Sequence, residues 1–345
     1  MRCLALADAL KQHGARIRFV SRHISEHLRY KLALKGHECM LLISSSNLMK
    51  YEDTTYSNWL GTDQQSDAQD TNHALSDQTW DWLVVDHYSL DARWETLVQQ
   101  TIKNVLVIDD LANRPHICKL LLDQNLGRQP QDYKDLVPLD CRVLTGPHYA
   151  LLRSEFAAVR SYSLRRRKSE PAFRKLIITM GGVDLPNATG KVLRALKTCD
   201  LPHECRITVV MGLQAPWLQN VNELAGQMPW PTEVVINVND IAKRMAESDL
   251  AIGAAGSTSW ERCCLGLPTL MVVLAENQQL SARAMEAADA ALLIGPVHDI
   301  ENQLPFAFAE LNKLERQSQM SIAASALTDG LGVDKILKAM DLKNA

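Results

Sequence analysis

The sequence predicts a two-domain α/β protein built on parallel sheets, and three observations predict it. Short, continuous apolar runs recur along the 345 residues. Helical patterns alternate with those runs. A polar, basic stretch near the middle separates an earlier set from a later one.

The runs come first. In the first half they are residues 16–22 (RIRFVSR), 38–43 (ECMLLI), 82–86 (WLVVD), 105–109 (VLVID) and 120–123 (LLLD). In the second half they are 175–180 (KLIITM), 207–211 (ITVVM), 233–238 (EVVINV), 250–253 and 269–274 (TLMVVL). Uninterrupted apolarity over four to six residues suits parallel strands buried on both faces. Helices fit between them at 3–13, where Gly14 stops the chain, and at 187–197, 241–247 and 280–291. The polar segment 44–76 is long for a loop and is expected to carry a short helix near 67–76. Residues 157–173 contain SYSLRRRKSEPAF, which is basic and closes on a proline. They read as a linker with a solvated basic run, between an N-terminal domain (1–156) and a C-terminal domain (174–345).

Composition limits the function classes. Hydrophobic residues are 46% and charged residues 22%, which suits a soluble globular chain. The net charge of -3 gives no global attraction to nucleic acid or an anionic membrane. No apolar run reaches the ~20 residues of a membrane helix. The first residues, MRCLALADALKQHG, are amphipathic and carry Asp8, unlike a secretory leader. The eight cysteines show no C-x-x-C pair and no zinc-ligand spacing, so a reduced, cytoplasmic, metal-free protein without a cofactor is expected. No nucleic acid or membrane partner is implied, and the sequence is compatible with a monomer.

Polar clusters follow the apolar runs: Asp86-His87-Tyr88, Asp109-Asp110, Asp123-Gln124-Asn125, Gly181-Gly182-Val183-Asp184 and Glu276-Asn277-Gln278. Ligands of open parallel sheets bind beyond the carboxyl ends of strands. An aspartate there also has a plainer use, as the cap of the next helix. Five such clusters in two domains suggest a cleft lined from both sides. Residues 251–278 (AIGAAGSTSWERCCLGLPTLMVVLAENQ) hold the strongest signal. Small residues up to Gly256 let a ligand approach the backbone, and Ser257 and Thr258 open a helix whose free N–H groups suit a diphosphate. Glu261 lies one turn later on the same face, where a carboxylate can hold ribose hydroxyls. Gly181 and Gly182 can also turn backbone N–H groups to an anion. Neither glycine loop matches a dinucleotide or Walker pattern.

These residues resemble a known family, the bacterial UDP-2,4-diacetamido-2,4,6-trideoxy-β-L-altropyranose hydrolases of pseudaminic acid biosynthesis, which serves flagellin glycosylation. The matching segments are RCLALADAL (2–10), LVVDHYSLDARWE (83–95), VIDDLANRPHICKLLLDQNLGR (107–128), GPHYALLRSEF (146–156), ITMGGVDLPNATGKVLRAL (178–196), IGAAGSTSWERCCLGLP (252–268) and AENQ (275–278). The resemblance implies two Rossmann-like domains in a GT-B-type arrangement. It implies metal-free attack of water on the anomeric carbon, with inversion and departure of UDP. It implies that the small-molecule partner is a UDP-sugar, with Glu261 on the ribose and Gly256, Ser257 and Thr258 on the diphosphate. Tyr88 and Asn277 would lie near the sugar, with Gln278 beside them. Two roles stay open for Arg153: pairing with phosphate or holding the domain boundary. A GT-B transferase with another acceptor, or a non-catalytic nucleotide-sugar binder, are the alternatives.

The chain departs from the family at its start. The pattern there is a strand followed by G-x-G-H-x-x-R, whose His is the family's catalytic base. Arg2 matches the final Arg, so that His would fall before Met1 and the first domain lacks its first strand. A start assigned at an internal Met, with about 15–20 residues upstream, is preferred over a truncated chain because the other segments are intact. His87 is the fallback base within the chain, although packing or a supporting role suits it better. A version extended upstream through G-x-G-H is expected to hydrolyse the sugar nucleotide, and the chain from Met1 to be nearly inert, in an assay of UDP release.

Overall fold

The computed structural model describes residues 1–42, 59–99, 102, 104–169 and 173–342. They form two compact units, Met1–Leu151 with Val333–Ala345, and Leu152–Gly332. Among the described residues, no helix is long and apolar enough to cross a membrane, and no group of His, Cys, Asp or Glu is arranged to hold a metal ion.

The first unit runs α1 (Arg2–Gln12), β1 (Arg18–Ser21), α2 (Glu26–Leu34), β2 (Glu38–Leu41), α3 (Gln64–Ala74), β3 (Trp82–Val85), α4 (Ala92–Val98), β4 (Asn104–Ile108), β5 (Leu120–Asp123) and β6 (Arg142–Thr145). Its strands are parallel but fall into two sheets, β1-β2 and β3-β4-β5-β6. The helix α1 buries Leu4, Ala5, Leu6, Ala7 and Leu10, and its apolar stripe packs on Leu106, Ile108, Leu120 and Leu122 of β4 and β5. Gly14 then takes φ +84, a left-handed conformation that costs glycine little. Helix starts are capped by the residues chemistry favours: Ser25 accepts the Leu28 N–H, Asp63 the Ser66 N–H, and Asp91 the Arg93 N–H. The expected short helix near 67–76 is α3, which starts three residues earlier. Residue 43 of the second expected strand, and most of the segment 44–76 before α3, lie outside the described residues.

The second unit runs α5 (Ser154–Ser169), β7 (Lys175–Thr179), α6 (Ala188–Leu196), β8 (Arg206–Met211), α7 (Leu218–Ala225), β9 (Thr232–Ile236), α8 (Ile241–Glu247), β10 (Leu250–Ala254), α9 (Thr258–Cys264), β11 (Thr269–Val273), α10 (Gln279–Ala287), β12 (Leu292–Pro296), α11 (Ile300–Leu311) and α12 (Leu314–Leu327); α13 (Gly332–Ala339) leads back into the first unit. The strands make one parallel sheet in the order β12-β11-β10-β7-β8-β9. The order reverses between β7 and β10, so the switch point lies there. Both strands are almost wholly buried, as their unbroken apolar runs require.

The boundary differs from the sequence reading. Residues 157–173 were expected to form a linker, but 154–169 are the helix α5 of the second unit. In its basic run Arg165 and Lys168 are exposed, but Arg166 and Arg167 are tied to the second unit. Arg167 donates to the carbonyls of Leu265, Ser248 and Met245, and Arg166 pairs with Asp249. Ser163 is buried and donates to the Leu265 carbonyl. The cations thus serve as long donors to the carbonyls that end neighbouring helices. The tail from Val333 onward joins the first unit because Val333, Ile336, Leu337 and Met340 fill its core beside α1.

Candidate active site

In the second unit, the carboxyl ends of β7 and β10 present the two loops singled out in the sequence. After β7, Gly181 takes φ +90, and there is open space around both Gly181 and Gly182. Asp184 is buried and accepts the N–H groups of Ala188 and Thr189 at 2.8 and 2.9 Å, so it caps α6. Gly212, just after β8, supports the Gly182 loop from behind: a Cβ there would lie 1.9 Å from the Gly182 carbonyl oxygen. Gly212→Ala is therefore expected to displace the Gly181-Gly182 loop and cost about 1–3 kcal/mol, the usual penalty of overpacking, measured by thermal denaturation.

After β10, Gly256 is half-buried, Ser257 is exposed and Thr258 begins α9. Ser257 makes no side-chain cap to the helix. Gln278, whose amide oxygen accepts the Leu274 N–H at 2.9 Å, brings its Nε2 to 3.6 Å from where a Gly256 Cβ would lie. The loop after β11 thus closes against the loop after β10, and Asn277 sits half-buried next to Gln278. Glu261 is mostly covered. Burial raises its pKa, and Arg153 opposes that rise through an ion pair at 3.3 Å. Arg153 also pairs with Glu155 at 2.9 Å and lies over the Phe156 ring at 5.1 Å. Its protein partners are carboxylates on its own unit.

The first unit collects a second cluster at the ends of β3 and β4. Arg2 reaches from α1 and makes paired contacts with Asp86 (2.7 and 3.0 Å) and Asp110 (2.9 and 3.0 Å). The Tyr88 hydroxyl donates to Asp110 Oδ2 at 2.8 Å, and burial together with Asp110 pushes its pKa up. Tyr88 is therefore a neutral phenol with a fixed orientation. Arg2 offsets the burial of Asp86 and holds its carboxyl below the usual range. His87 behaves differently. Its Nδ1 accepts the Ser89 N–H at 3.1 Å, and burial lowers its pKa.

Behind that cluster lies a buried network that sequence reasoning missed. The Tyr133 hydroxyl stands 3.0 Å from Asp109 and 2.9 Å from Asp123. Asp109 also pairs with Arg114 at 2.8 Å and accepts the Ala112 N–H at 2.8 Å. Burial pushes the Asp123 carboxyl up to about 7. One phenolic proton cannot serve two carboxylates at once, and Arg128, 3.1 Å from Asp123, gives that carboxylate a cationic partner. The sequence signal was partial: both aspartates were read in strand-end clusters that could line a cleft or cap a helix, and nothing local marks Tyr133.

No protein-family profile matches the chain. The chain is similar to the UDP-2,4-diacetamido-2,4,6-trideoxy-beta-L-altropyranose hydrolase of Campylobacter jejuni, with 28% identity over 209 residues, which is 60% of this chain and 72% of that protein. It is also similar to the spore coat polysaccharide biosynthesis protein SpsG of Bacillus subtilis, with 29% identity over 155 residues, 45% of this chain and 44% of that protein. Among solved structures, MurG of Acinetobacter baumannii superposes with a TM-score of 0.68 at 15% identity, covering 99% of this chain and 95% of that one. The fold is thus the two-domain α/β architecture of the GT-B class. The resemblance first read from the segments holds over the 209 residues, 60% of the chain, that match the Campylobacter protein.

Proposed function

We propose that this chain carries the substrate-binding machinery of a hydrolase that cleaves a UDP-linked diacetamido-trideoxy sugar, releasing UDP and the free sugar by attack of water at the anomeric carbon with inversion, the attacking water being activated by the base of the upstream G-x-G-H pattern. The observation that carries the reading is the second unit's switch point. There Gly181-Gly182, Gly256-Ser257-Thr258 and Glu261 gather at strand ends, in a chain similar to a hydrolase of that name.

The chemistry asks little of the protein. UDP leaves readily, so the principal need is for preorganised donors where negative charge grows on the diphosphate. The backbone around Gly256, Ser257 and Thr258 is assigned that work, helped by the open Gly181-Gly182 loop. Glu261 takes the ribose hydroxyls, and Arg153 opposes the rise that burial imposes on its pKa. Asn277 and Gln278 are assigned the sugar side of the diphosphate, since an amide can both donate and accept. Tyr88, held by Asp110, orients the sugar or the attacking water. His87 is assigned packing rather than proton transfer, because its Nδ1 is occupied and its pKa is lowered.

Incubating the protein with the UDP-sugar and following UDP separates the readings. Release without an added acceptor, in water labelled at oxygen, places the label on the sugar carbon and supports hydrolysis. Release only with an added sugar acceptor means a transferase. Binding without turnover, both in the chain from Met1 and in a version extended upstream through G-x-G-H, means a nucleotide-sugar binder. In the version extended upstream, Tyr88→Phe is expected to lower kcat about tenfold, less than the roughly 10²–10⁴-fold of a group that transfers a proton, because the phenol only orients.

A further inference from the structure

Helix α9 carries a group the proposed mechanism does not use. Arg262 is 1% exposed, and its guanidinium makes no ion pair among the described residues. Its Nη2 donates to the Ala254 carbonyl at 2.7 Å and to the Ser259 hydroxyl at 3.1 Å. Its Nη1 donates to the Thr258 hydroxyl at 3.2 Å. Its Nε is buried without a partner. Room for the fork comes from Gly253, where a Cβ would lie 2.5 Å from Nη1 and 3.1 Å from the Thr179 carbonyl.

A fully buried cation without a carboxylate is costly, and proteins normally pair it. Its bonds here are to neutral oxygens of one short stretch, 254–259. Burial lowers its pKa only to about 10, so it stays charged at neutral pH. A neutral side chain of similar length would fill the space without that cost. The charge is explained if an anion completes the pair when ligand is present, and Thr258 is the one partner of the guanidinium that is not fully buried.

We propose that Arg262 is the buried counter-charge for the ligand's diphosphate, acting as a positioning residue through the Thr258 hydroxyl and the Ala254–Ser259 turn. The inference deepens the proposed function and rests on the second unit binding a nucleoside diphosphate. It predicts selectivity for the anion and not for the nucleoside: the low dielectric around the guanidinium lets its field reach the phosphates weakly screened.

The test compares binding of UDP and of uridine to the full chain and its variants by calorimetry, with folding checked by thermal melting. Arg262→Met is expected to lose UDP affinity about 10- to 100-fold, as for removal of a charge acting at low dielectric, and to leave uridine affinity within about threefold. Arg262→Lys is expected to restore most of the UDP-to-uridine ratio, although the lost fork lowers the melting temperature. If Arg262→Met does not fold, Arg262→Lys carries the test: a ratio within about threefold of wild type supports the counter-charge, and a ratio reduced as far as a charge deletion would reduce it overturns it. Equal loss of UDP and uridine binding in Arg262→Met means a structural role and overturns the inference. So does unchanged UDP binding. A wild-type chain that binds no UDP removes the reading beneath, which is a different failure from wild-type binding that Arg262→Met leaves intact.

Discussion

Glu261→Gln is expected to weaken UDP binding about 10- to 100-fold, the worth of one or two hydrogen bonds to a charged group, while the protein stays folded. Glutamine fills the same space. It leaves Arg153 with Glu155, so no buried cation is stranded. Acidification should act the same way in the wild type. Burial raises the Glu261 pKa, so its carboxylate is lost at a higher pH than an ordinary glutamate's. UDP affinity should therefore fall as pH drops through that raised value. Arg153→Met removes the opposing cation and should move the fall to still higher pH. Calorimetric titration with UDP across the acid range reads both effects, and an affinity indifferent to pH and to either substitution would rule out this carboxylate.

Asp109→Ala is expected to have the largest effect on stability, about 3–5 kcal/mol, the cost of stranding a buried partner charge. Its removal leaves Arg114 beside a void, deprives Tyr133 of one oxygen, and frees the Leu111 and Ala112 N–H groups. Ala112 holds φ +51, a strained value for a residue with a Cβ, and Asp109 is what fixes that turn. Burial works against the Asp109 charge, yet Arg114 and the Ala112 N–H outweigh it, and the pKa lies below the ordinary value. A depressed folded pKa contributes stability above the unfolded value of about 4 and loses it as pH falls through the folded one. Urea midpoints from neutral pH into the acid range should show that loss in the wild type and a shallower one in Asp109→Asn.

Much of the fold was legible because parallel strands buried on both faces need unbroken apolar runs. Each run read from the sequence corresponds to a strand, displaced by two residues at most within the described chain. Two strands escaped notice. Residues 142–145 (RVLT) are only four long and begin with an exposed arginine, so they lack an apolar run. Leu292–Pro296 carries a glycine and a proline, which edge strands tolerate. The helix before it was read too far, to 291, because alanines continue past its end at Ala287; Asp289, at φ +59, turns the chain first. The basic stretch 157–168 was misjudged for a different reason. Charge suggests solvent, yet arginine can bury its stem and bond several carbonyls at once, as Arg160 and Arg167 do.

The candidate site was legible in its glycines and in Glu261, whose spacing is local. Its supports were not. Tyr133 meets Asp109 across 24 residues, and Arg2 meets Asp110 across 108. Such pairings depend on which strands lie side by side, and no spacing rule reports that. Arg262 carried one overlooked signal, an arginine set among residues that otherwise read as core.

The central claim is that the second unit grips the pyrophosphate of a uridine nucleotide. A crystal of the full chain soaked with UDP tests it most directly. The account predicts phosphates against the backbone of Gly256, Ser257 and Thr258 and ribose hydroxyls on the Glu261 carboxylate. UDP bound elsewhere, with Glu261 still paired to Arg153 and no density over Ser257, would contradict it.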